Sequence, residues 1–331
     1  MRPPLPASRS ARAHSGAGKA DFSRFDHQAT YNPFRGLRAW NVPSRRWFLS
    51  RRRKIRVVCK KHRAGKSKNR GRSMEFWLLG RAGMFEVAKP YPCRECPLQH
   101  CPGLRPLEER QLDYIQTIKT GEYRFERGDT VLQEQESCDY LFTILEGVAI
   151  RFLTLDDGRR QIVNFMFPGD LIGLQGAFDD VVSHSVEAIL PLRLCRFRRN
   201  DFVALIKEHP RLGYDITWLA AKEESALEGH LVSLGQRSAR ERVVFLAVWL
   251  LDRALATGIA REGNKFAMPI TQSQIADMLG LSLVHTNRTI RALDRDGLVQ
   301  WTSREICVPD MEKAAEFADF DLSEKTVRPF I

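Results

Sequence analysis

The 331-residue sequence lacks a long hydrophobic run and has few cysteines. Its longest apolar run, residues 243–251, is far shorter than the ~20 residues that a membrane-spanning helix needs. Seven cysteines are too few for a disulfide scaffold in a chain of this length. No apolar segment follows the early arginines, so no secretory signal is indicated. These absences predict a cytoplasmic protein in which the apolar run forms a buried helix.

Acidic residues are almost missing from residues 1–73. That segment holds 21 lysines and arginines against Asp21 and Asp26, a net charge of +19, whereas residues 74–331 carry a net charge of −7. The segment shows no apolar periodicity, which predicts a disordered basic extension. The whole-chain charge of +12 therefore gives no support for DNA binding by the folded part.

Three interpretations of this extension, which includes Cys59, are open. It is a basic arm on DNA, an arginine-rich transit peptide, or translated upstream sequence. We favour the third, because the composition changes abruptly at Met74, and the natural start is then Met74 or Met84. Peptides from residues 1–73 in mass spectra of the natively expressed protein would contradict this interpretation.

The middle of the chain shows short β-type patterns. Two alternating apolar segments flank the turn signal Asp157-Gly158, namely Val148, Ile150 and Phe152 before it and Val163, Phe165 and Phe167 after it. This pattern predicts a β-hairpin. Further turn signals lie at Gly128-Asp129, Glu146-Gly147 and Gly169-Asp170. Regular turns between short strands indicate a β-sandwich or β-roll.

A helical pattern follows Pro210. Leu227, Leu231 and Leu234 form a stripe at helical spacing, which indicates packing against the β-domain or a dimer seam. Gly235 and Ser238 are expected to interrupt this helix. Ser238 and Glu241 then have the spacing of a capping box for the next helix.

The strongest functional signal lies between residues 268 and 309. Thr271 is expected to cap a first helix, Gly280 to allow a sharp turn, and Ser282 to cap a second helix. The inner faces are expected to hold Ile275, Met278 and Leu279 on the first helix, and Val284, Ile290 and Leu293 on the second. The outer face of the second helix then carries side chains that reach base edges and phosphates in a major groove: His285, Asn287, Arg288 and Arg291.

A hairpin pattern follows this helix pair. Residues 299–301 and 305–308 flank Thr302-Ser303-Arg304, which predicts a wing. A helical pair alone is a common structural element without a ligand. The hairpin and the arginine-bearing second helix together favour a winged helix-turn-helix that binds double-stranded DNA. The candidate DNA-binding residues are Thr271, Gln272, Ser282, Val284, His285, Asn287, Arg288 and Arg291.

Residues from about 90 to 320 resemble the CRP/FNR family of bacterial regulators. The resemblance rests on Phe167-Pro-Gly-Asp-Leu-Ile-Gly173, on the helix over 210–237, and on Leu279-Gly-Leu-Ser282 with Arg288. It implies an α+β fold with a cyclic-nucleotide-binding-like β-roll, a long dimerisation helix, and a C-terminal winged helix-turn-helix. It also implies a homodimer on an inverted repeat, and contact with RNA polymerase, for which Asp156-Asp157 and Asp179-Asp180 are candidate loops.

The expected domain organisation follows from these patterns. It consists of the extension 1–73, a Cys/Pro-rich segment 74–106, a β-roll sensor 107–208, a dimerisation helix 209–237, a DNA-binding domain 238–320, and a tail 321–331.

The recognition helix departs from the family pattern of Glu, then Ser or Gly, then Arg. Val284 stands in place of the Glu and Asn287 in place of the Ser or Gly, while Arg288 is retained. A glutamate accepts a hydrogen bond from cytosine N4, whereas valine offers only apolar contact, for instance to a thymine methyl. We therefore expect a half-site that differs from the usual family consensus.

Cyclic AMP binding is not expected of this β-roll. The family's cyclic-nucleotide sites hold the ribose with a Gly-Glu pair and the phosphate with an Arg before a Ser. Here Leu174 follows Gly173, and His184 precedes Ser185. A buried phosphate without its guanidinium loses its bidentate charge-assisted hydrogen bonds.

Cysteines suggest a different sensor chemistry. Cys93-x2-Cys96-x4-Cys101, with Cys195 in a later strand, resembles the four thiolates that hold a [4Fe–4S] cluster in FNR-type oxygen sensors. The last gap is shorter than in those sensors, and prolines follow Cys96 and Cys101. Loop thiols with a buried Cys195, and a zinc site with His100, are the alternatives. Cys138 and Cys307 are expected to be structural.

No enzyme signature is present. The sequence contains no Gly-rich phosphate loop, no His-Glu-x-x-His and no Gly-x-Ser-x-Gly. His184, His209 and His230 are isolated and are expected to be packed or surface residues. A β-roll module that binds a ligand without a DNA function is a further alternative, and the candidate recognition helix argues against it.

Overall fold

The computed structural model describes residues 84–177, 181–260, 264–323 and 327–331. The basic extension, Met74 and the loop residues Asp179-Asp180 lie outside the described residues, so the predictions made for them stay predictions. Among the described helices, none is both long and apolar enough to cross a membrane.

The first half of the described chain forms a β-roll of two antiparallel sheets, with helix α1 (Glu109–Ile118) between its first and second strands. One sheet has the strand order β1-β2-β9-β4-β7, with β1 Phe85–Glu86, β2 Lys119–Phe125, β4 Tyr140–Glu146, β7 Leu171–Ile172 and β9 Leu192–Arg198. The other has the order β3-β8-β5-β6, with β3 Thr130–Leu132, β5 Ala149–Thr154, β6 Arg160–Met166 and β8 Ser185–Ala188. The predicted β-roll is confirmed.

The hairpin between β5 and β6 forms as predicted, and Gly158 takes a φ of +85° at its turn. The predicted alternation in β6 is wrong at one position. A register shift opposite Arg151 and Phe152 places Ile162 in the core, where it is fully buried, and leaves Val163 only half-buried. A bulge of this kind reverses the faces of the residues that precede it.

Two long helices follow the short helix α2 (Asp201–Glu208). Helix α3 (Pro210–Gln236) is 27 residues long and continues through Gly235. The predicted interruption at Gly235 is therefore wrong, and the break lies at Arg237 and Ser238, between α3 and the next helix. Helix α4 (Ala239–Ala256) begins at the predicted capping box, in which Ser238 accepts from the backbone of Glu241 and Glu241 accepts from the backbone of Ser238. Its central residues are fully buried, as the apolar run predicts.

The C-terminal part is a winged helix-turn-helix. Its elements are β10 Lys265–Ala267, α5 Gln272–Leu279, α6 Leu283–Arg295, β11 Gln300–Trp301, β12 Glu305–Cys307 and α7 Met311–Ala318. The wing hairpin of β11 and β12 confirms the prediction, and β10 adds a third strand that the sequence pattern did not reveal. One hydrophobic cluster joins α4, this domain and part of the β-roll.

The end of the chain returns to the β-roll. Arg328 forms a parallel bridge with Leu104, and Phe330 and Ile331 are buried in the core beside the cysteine-bearing segment. The sequence predicted only a tail over residues 321–331. A short apolar segment shows no periodicity, so its sequence does not indicate where it docks.

Candidate DNA-reading helix and sensor cavities

The turn between α5 and α6 has the local geometry that the sequence predicts. Thr271 caps α5 by accepting from the backbone of Gln274, and the Gln274 side chain accepts from the backbone of Thr271. Gly280 ends α5 with a φ of +62°, a left-handed conformation that glycine adopts without a Cβ penalty. Ser282 then caps α6 by accepting from the backbone of His285. Thr271 and Ser282 therefore act as helix caps at this surface.

The inner face of α6 differs from the prediction. Ile290 and Leu293 are buried as expected, but Val284 is 68% exposed, so the prediction that it packs inward is wrong. The remaining inner positions belong to Thr286 and Thr289, which are buried. Helical spacing explains the result, because Val284 lies on the face opposite Thr286 at the first turn of α6.

The outer face of α6 presents a mixed apolar and basic surface. Val284, His285, Arg288 and Arg291 are exposed, and no described element covers them. Asn287 is half-buried, and its amide donates to Oε1 of Gln272 on α5 at 2.8 Å. That hydrogen bond holds the Asn287 side chain against α5. Arg288 is the exposed arginine nearest the start of α6.

A second region, in the β-roll, contains a cavity of about 130 Å³ between β6, β7 and α3. His184 and Leu174 line it, at the positions where the family's cyclic-nucleotide sites carry polar ligands. Burial and the nearby Arg151 lower the pKa of His184 to about 4, so this side chain is neutral at physiological pH. Arg151 also lines the cavity, but its guanidinium is paired with Glu223 of α3 at 2.8 Å.

The Arg151–Glu223 pair is a contact that sequence reasoning missed. Glu223 also accepts from the amide of Asn164 on β6, at 2.8 Å, so the roll and α3 share one buried polar link. Arg151 and Asn164 stand within alternating strand patterns as polar residues on a buried face. A charged residue on an otherwise buried strand face indicates a buried partner. Arg151 could therefore have predicted this contact from the sequence.

The cysteines are not all in one place. Cys93, Cys96 and Cys195 line one small cavity beside Lys119. The thiol of Cys101 instead donates to the carbonyl of Thr257 at 3.3 Å, directly after the C-terminal end of helix α4. Within the described residues, no group of three or more His, Cys, Asp or Glu side chains is arranged to hold a metal ion.

Burial raises the pKa of each of these thiols. It raises the pKa of Cys96 to about 11, and it also raises the pKa values of Cys93, Cys101 and Cys195. These thiols are therefore protonated in the metal-free protein at neutral pH. With Cys101 held at Thr257, the four residues as placed do not fit a four-thiolate cluster.

Comparisons with known proteins agree with this architecture. The family model described as a cyclic nucleotide-binding domain matches residues 122–209, and the one described as a Crp-like helix-turn-helix domain matches residues 246–316. The transcriptional activator protein FnrL of Cereibacter sphaeroides is 30% identical over 234 residues, which cover 69% of this chain and 92% of that protein. The chain belongs to the CRP/FNR family.

Other members are also similar. The nitrogen fixation regulation protein FixK of Bradyrhizobium diazoefficiens is 32% identical over 210 residues, which cover 62% of this chain and 85% of that protein. Among solved structures, FixK2 from Bradyrhizobium japonicum gives a TM-score of 0.53 at 24% identity, and covers 59% of this chain and 96% of that one. This CRP/FNR protein is therefore a transcription regulator with a helix-turn-helix DNA-binding domain, in a family of regulators rather than enzymes.

Proposed function

We propose that this CRP/FNR protein binds an inverted-repeat operator as a homodimer and places α6 of each copy in a major groove. The observation that carries the proposal is the outer face of α6, where Val284, His285 and Arg288 are exposed beside the capped start of the helix. Helix-turn-helix proteins read bases with this end of the second helix. The half-site differs from the family consensus, because Val284 cannot accept from cytosine N4.

Helix α3 supports the dimer. Its 27 residues span about 40 Å, and Leu231 and Val232 are 70% and 51% exposed near its C-terminal end. In the proposed dimer, a second copy of α3 covers these apolar side chains in a helix–helix seam. A twofold pair of such helices fixes the spacing between the two copies of α6, so that they reach two half-sites one DNA turn apart.

The β-roll does not take cyclic AMP in the family's manner under this proposal. The cavity of about 130 Å³ is smaller than the ~300–1,000 Å³ usual for small-molecule sites. It offers neutral His184 where a phosphate needs a cation. The two guanidinium groups that line it, those of Arg151 and Arg328, are already paired with Glu223 and Asp170. Cyclic AMP should therefore leave the melting temperature and operator affinity of the protein unchanged.

Regulation without a resident cofactor is favoured over iron–sulfur sensing. The contact between Cys101 and Thr257 keeps one of the four candidate ligands, Cys93, Cys96, Cys101 and Cys195, away from the others. Expression level or thiol chemistry then governs activity. RNA polymerase is the expected protein partner, and the exposed Asp156-Asp157 hairpin tip is a candidate contact.

Anaerobic purification tests the sensor part of this proposal. We expect a colourless, iron-free protein that binds a selected operator equally with and without oxygen. Thiolate-to-iron charge-transfer absorption that disappears in air together with operator binding would contradict this expectation. That result would indicate iron–sulfur sensing instead. Failure to select any operator from random DNA would contradict the DNA-binding part and favour a ligand-binding module.

A further inference from the structure

The last residues of the chain occupy a fitted position in the sensor domain. Phe330 is only 2% exposed and Ile331 only 7%. The backbone of Arg328 donates to the carbonyl of Gly103 at 2.9 Å, and its own carbonyl accepts from the backbone of Arg105 at 2.7 Å. The segment 327–331 is thus held by paired backbone hydrogen bonds as well as by apolar burial.

A charged anchor completes this docking. The Arg328 guanidinium donates to Oδ1 of Asp170 at 2.8 Å, in the turn between β6 and β7. Burial opposes ionisation of Asp170, but the charges of Arg253 and Arg328 outweigh it and lower the pKa of its carboxyl. Asp170 is therefore an anion at neutral pH that binds the tail arginine within a largely buried site.

The docked end reaches the cysteine cavity. Phe330 and Ile331 line the same small cavity as Cys93, Cys96 and Cys195. The segment also contacts the loop that links this cavity to α4, because Gly103 accepts from Arg328 and donates to the carbonyl of Ala256 at 2.7 Å. One terminal segment therefore covers the thiols and holds the cysteine-bearing loop that lies against the first helix of the DNA-binding domain.

We propose that the sensor domain contains a peptide-binding site for a short sequence of the type Arg-Pro-aromatic-aliphatic, and that residues 327–331 of the chain occupy it in cis. Three elements form the site: the Gly103–Arg105 backbone edge, the Asp170 carboxylate, and the apolar cavity beside the cysteines. Occupancy shields the thiols of that cavity from solvent reagents. Departure of the segment exposes them and frees the loop at Gly103.

Peptide binding in trans tests the site directly. A protein from which residues 327–331 are deleted is titrated into fluorescein-labelled Val-Arg-Pro-Phe-Ile, and fluorescence anisotropy is followed. We expect saturable binding to the truncated protein and at least tenfold weaker binding to the full chain, whose site is filled. Peptides with Ala in place of Arg or Phe should bind at least tenfold more weakly. No saturable binding to a truncated protein that still binds its operator, or equal binding to the full chain, would overturn the proposal.

Thiol alkylation of full-length protein keeps the proposal testable if the truncated chain does not fold. The rates of N-ethylmaleimide reaction at Cys93 and Cys96 are measured by mass spectrometry, with Cys307 in the wing as internal reference. Phe330→Ala should raise these rates at least tenfold without changing that of Cys307, whereas Val327→Ala, at a 53% exposed position, should leave all three unchanged. Unchanged rates at Cys93 and Cys96 in the Phe330→Ala protein would show that the segment does not cover the thiols.

Discussion

Arg253 on α4 donates through Nη2 to both carboxylate oxygens of Asp170, at 2.8 and 2.9 Å. Both side chains are only 8% exposed, and Asp170 also accepts from the backbone of Phe167 at 2.8 Å. The pair joins the first helix of the DNA-binding domain to the turn between β6 and β7. The β-roll and the helix-turn-helix part of the chain thus share a buried ionic contact in addition to apolar packing.

Asp170→Asn should lower the free energy of unfolding by about 3–5 kcal/mol, because removal of one partner leaves a buried charge uncompensated. Urea unfolding measures the change. Asp157→Asn is the matched control, since Asp157 pairs with Arg159 at the surface, where an ion pair contributes about 0–1 kcal/mol. Equal effects of the two substitutions would show that the buried pair contributes no more than the exposed one.

Arg288→Ala should weaken binding to a selected operator by ~1–3 kcal/mol, about 5- to 150-fold, if the guanidinium contacts a guanine bidentately. Fluorescence anisotropy at one fixed salt concentration measures the affinity. Arg159→Ala removes the same charge from an exposed position in the β-roll and should change affinity little. An Arg288→Ala protein with wild-type affinity and sequence preference would exclude base contact by this residue.

Val284→Glu should shift the preferred half-site towards the family consensus. The introduced carboxylate accepts from cytosine N4, whereas the exposed valine contacts only apolar groups such as a thymine methyl. Selection from random DNA with the wild-type and variant proteins in parallel measures the preference. If the wild-type protein already selects the unmodified family consensus, Val284 does not set specificity.

Leu231→Glu should convert the dimer to a monomer, because it places a charge on the exposed apolar end of α3. Sedimentation velocity measures the mass of the species in solution. Val203→Glu on α2 is the matched control, since Val203 is 58% exposed but lies outside α3, and it should leave the dimer intact. A dimeric Leu231→Glu protein would place the seam elsewhere.

His230→Phe should reduce the loss of stability on mild acidification. Burial and the charge of Arg151 lower the pKa of His230 to about 4, against about 6.5 in the unfolded chain. Between those values the unfolded state binds a proton that the folded state does not, so the wild-type protein loses stability as pH falls from 6.5 towards 4. Each pH unit in this window corresponds to ~1.4 kcal/mol for a single group.

Melting temperatures at pH 7.5 and 5.5 test this expectation. The difference between the two temperatures should be smaller for His230→Phe than for the wild-type protein. His100→Asn, at an exposed position, should retain the wild-type difference. An unchanged difference in the His230→Phe protein would mean that His230 contributes nothing to acid sensitivity.

Local chemistry made much of the DNA-binding domain predictable. Thr271, Gly280 and Ser282 each satisfy a cap or turn requirement within a few residues, so their roles follow from short-range sequence. Val284 was placed wrongly among inward residues because one apolar side chain at a helix start does not define a face. The third wing strand, β10, is only three residues long and pairs at long range, which no local pattern reveals.

The cysteine-bearing region of the β-roll was less predictable, because its contacts also form between residues far apart in the sequence. Cysteine spacing places four thiols at suggestive positions in the sequence, but it does not show that Cys101 faces Thr257 while Cys195 faces Cys93. Arg253 lies in an otherwise apolar helix, and its partner Asp170 is 83 residues away. Such contacts depend on how domains pack, and this information is distributed over the whole chain.

The contact between Arg253 and Asp170 has a practical consequence for work with fragments. A cut between α3 and α4 separates these two side chains, which are both largely buried in the intact protein. Each fragment then lacks one partner of the pair, and the loss of a partner is strongly destabilising for a buried ion pair. A β-roll or a helix-turn-helix fragment expressed alone is therefore expected to be less stable than the same residues in the whole chain.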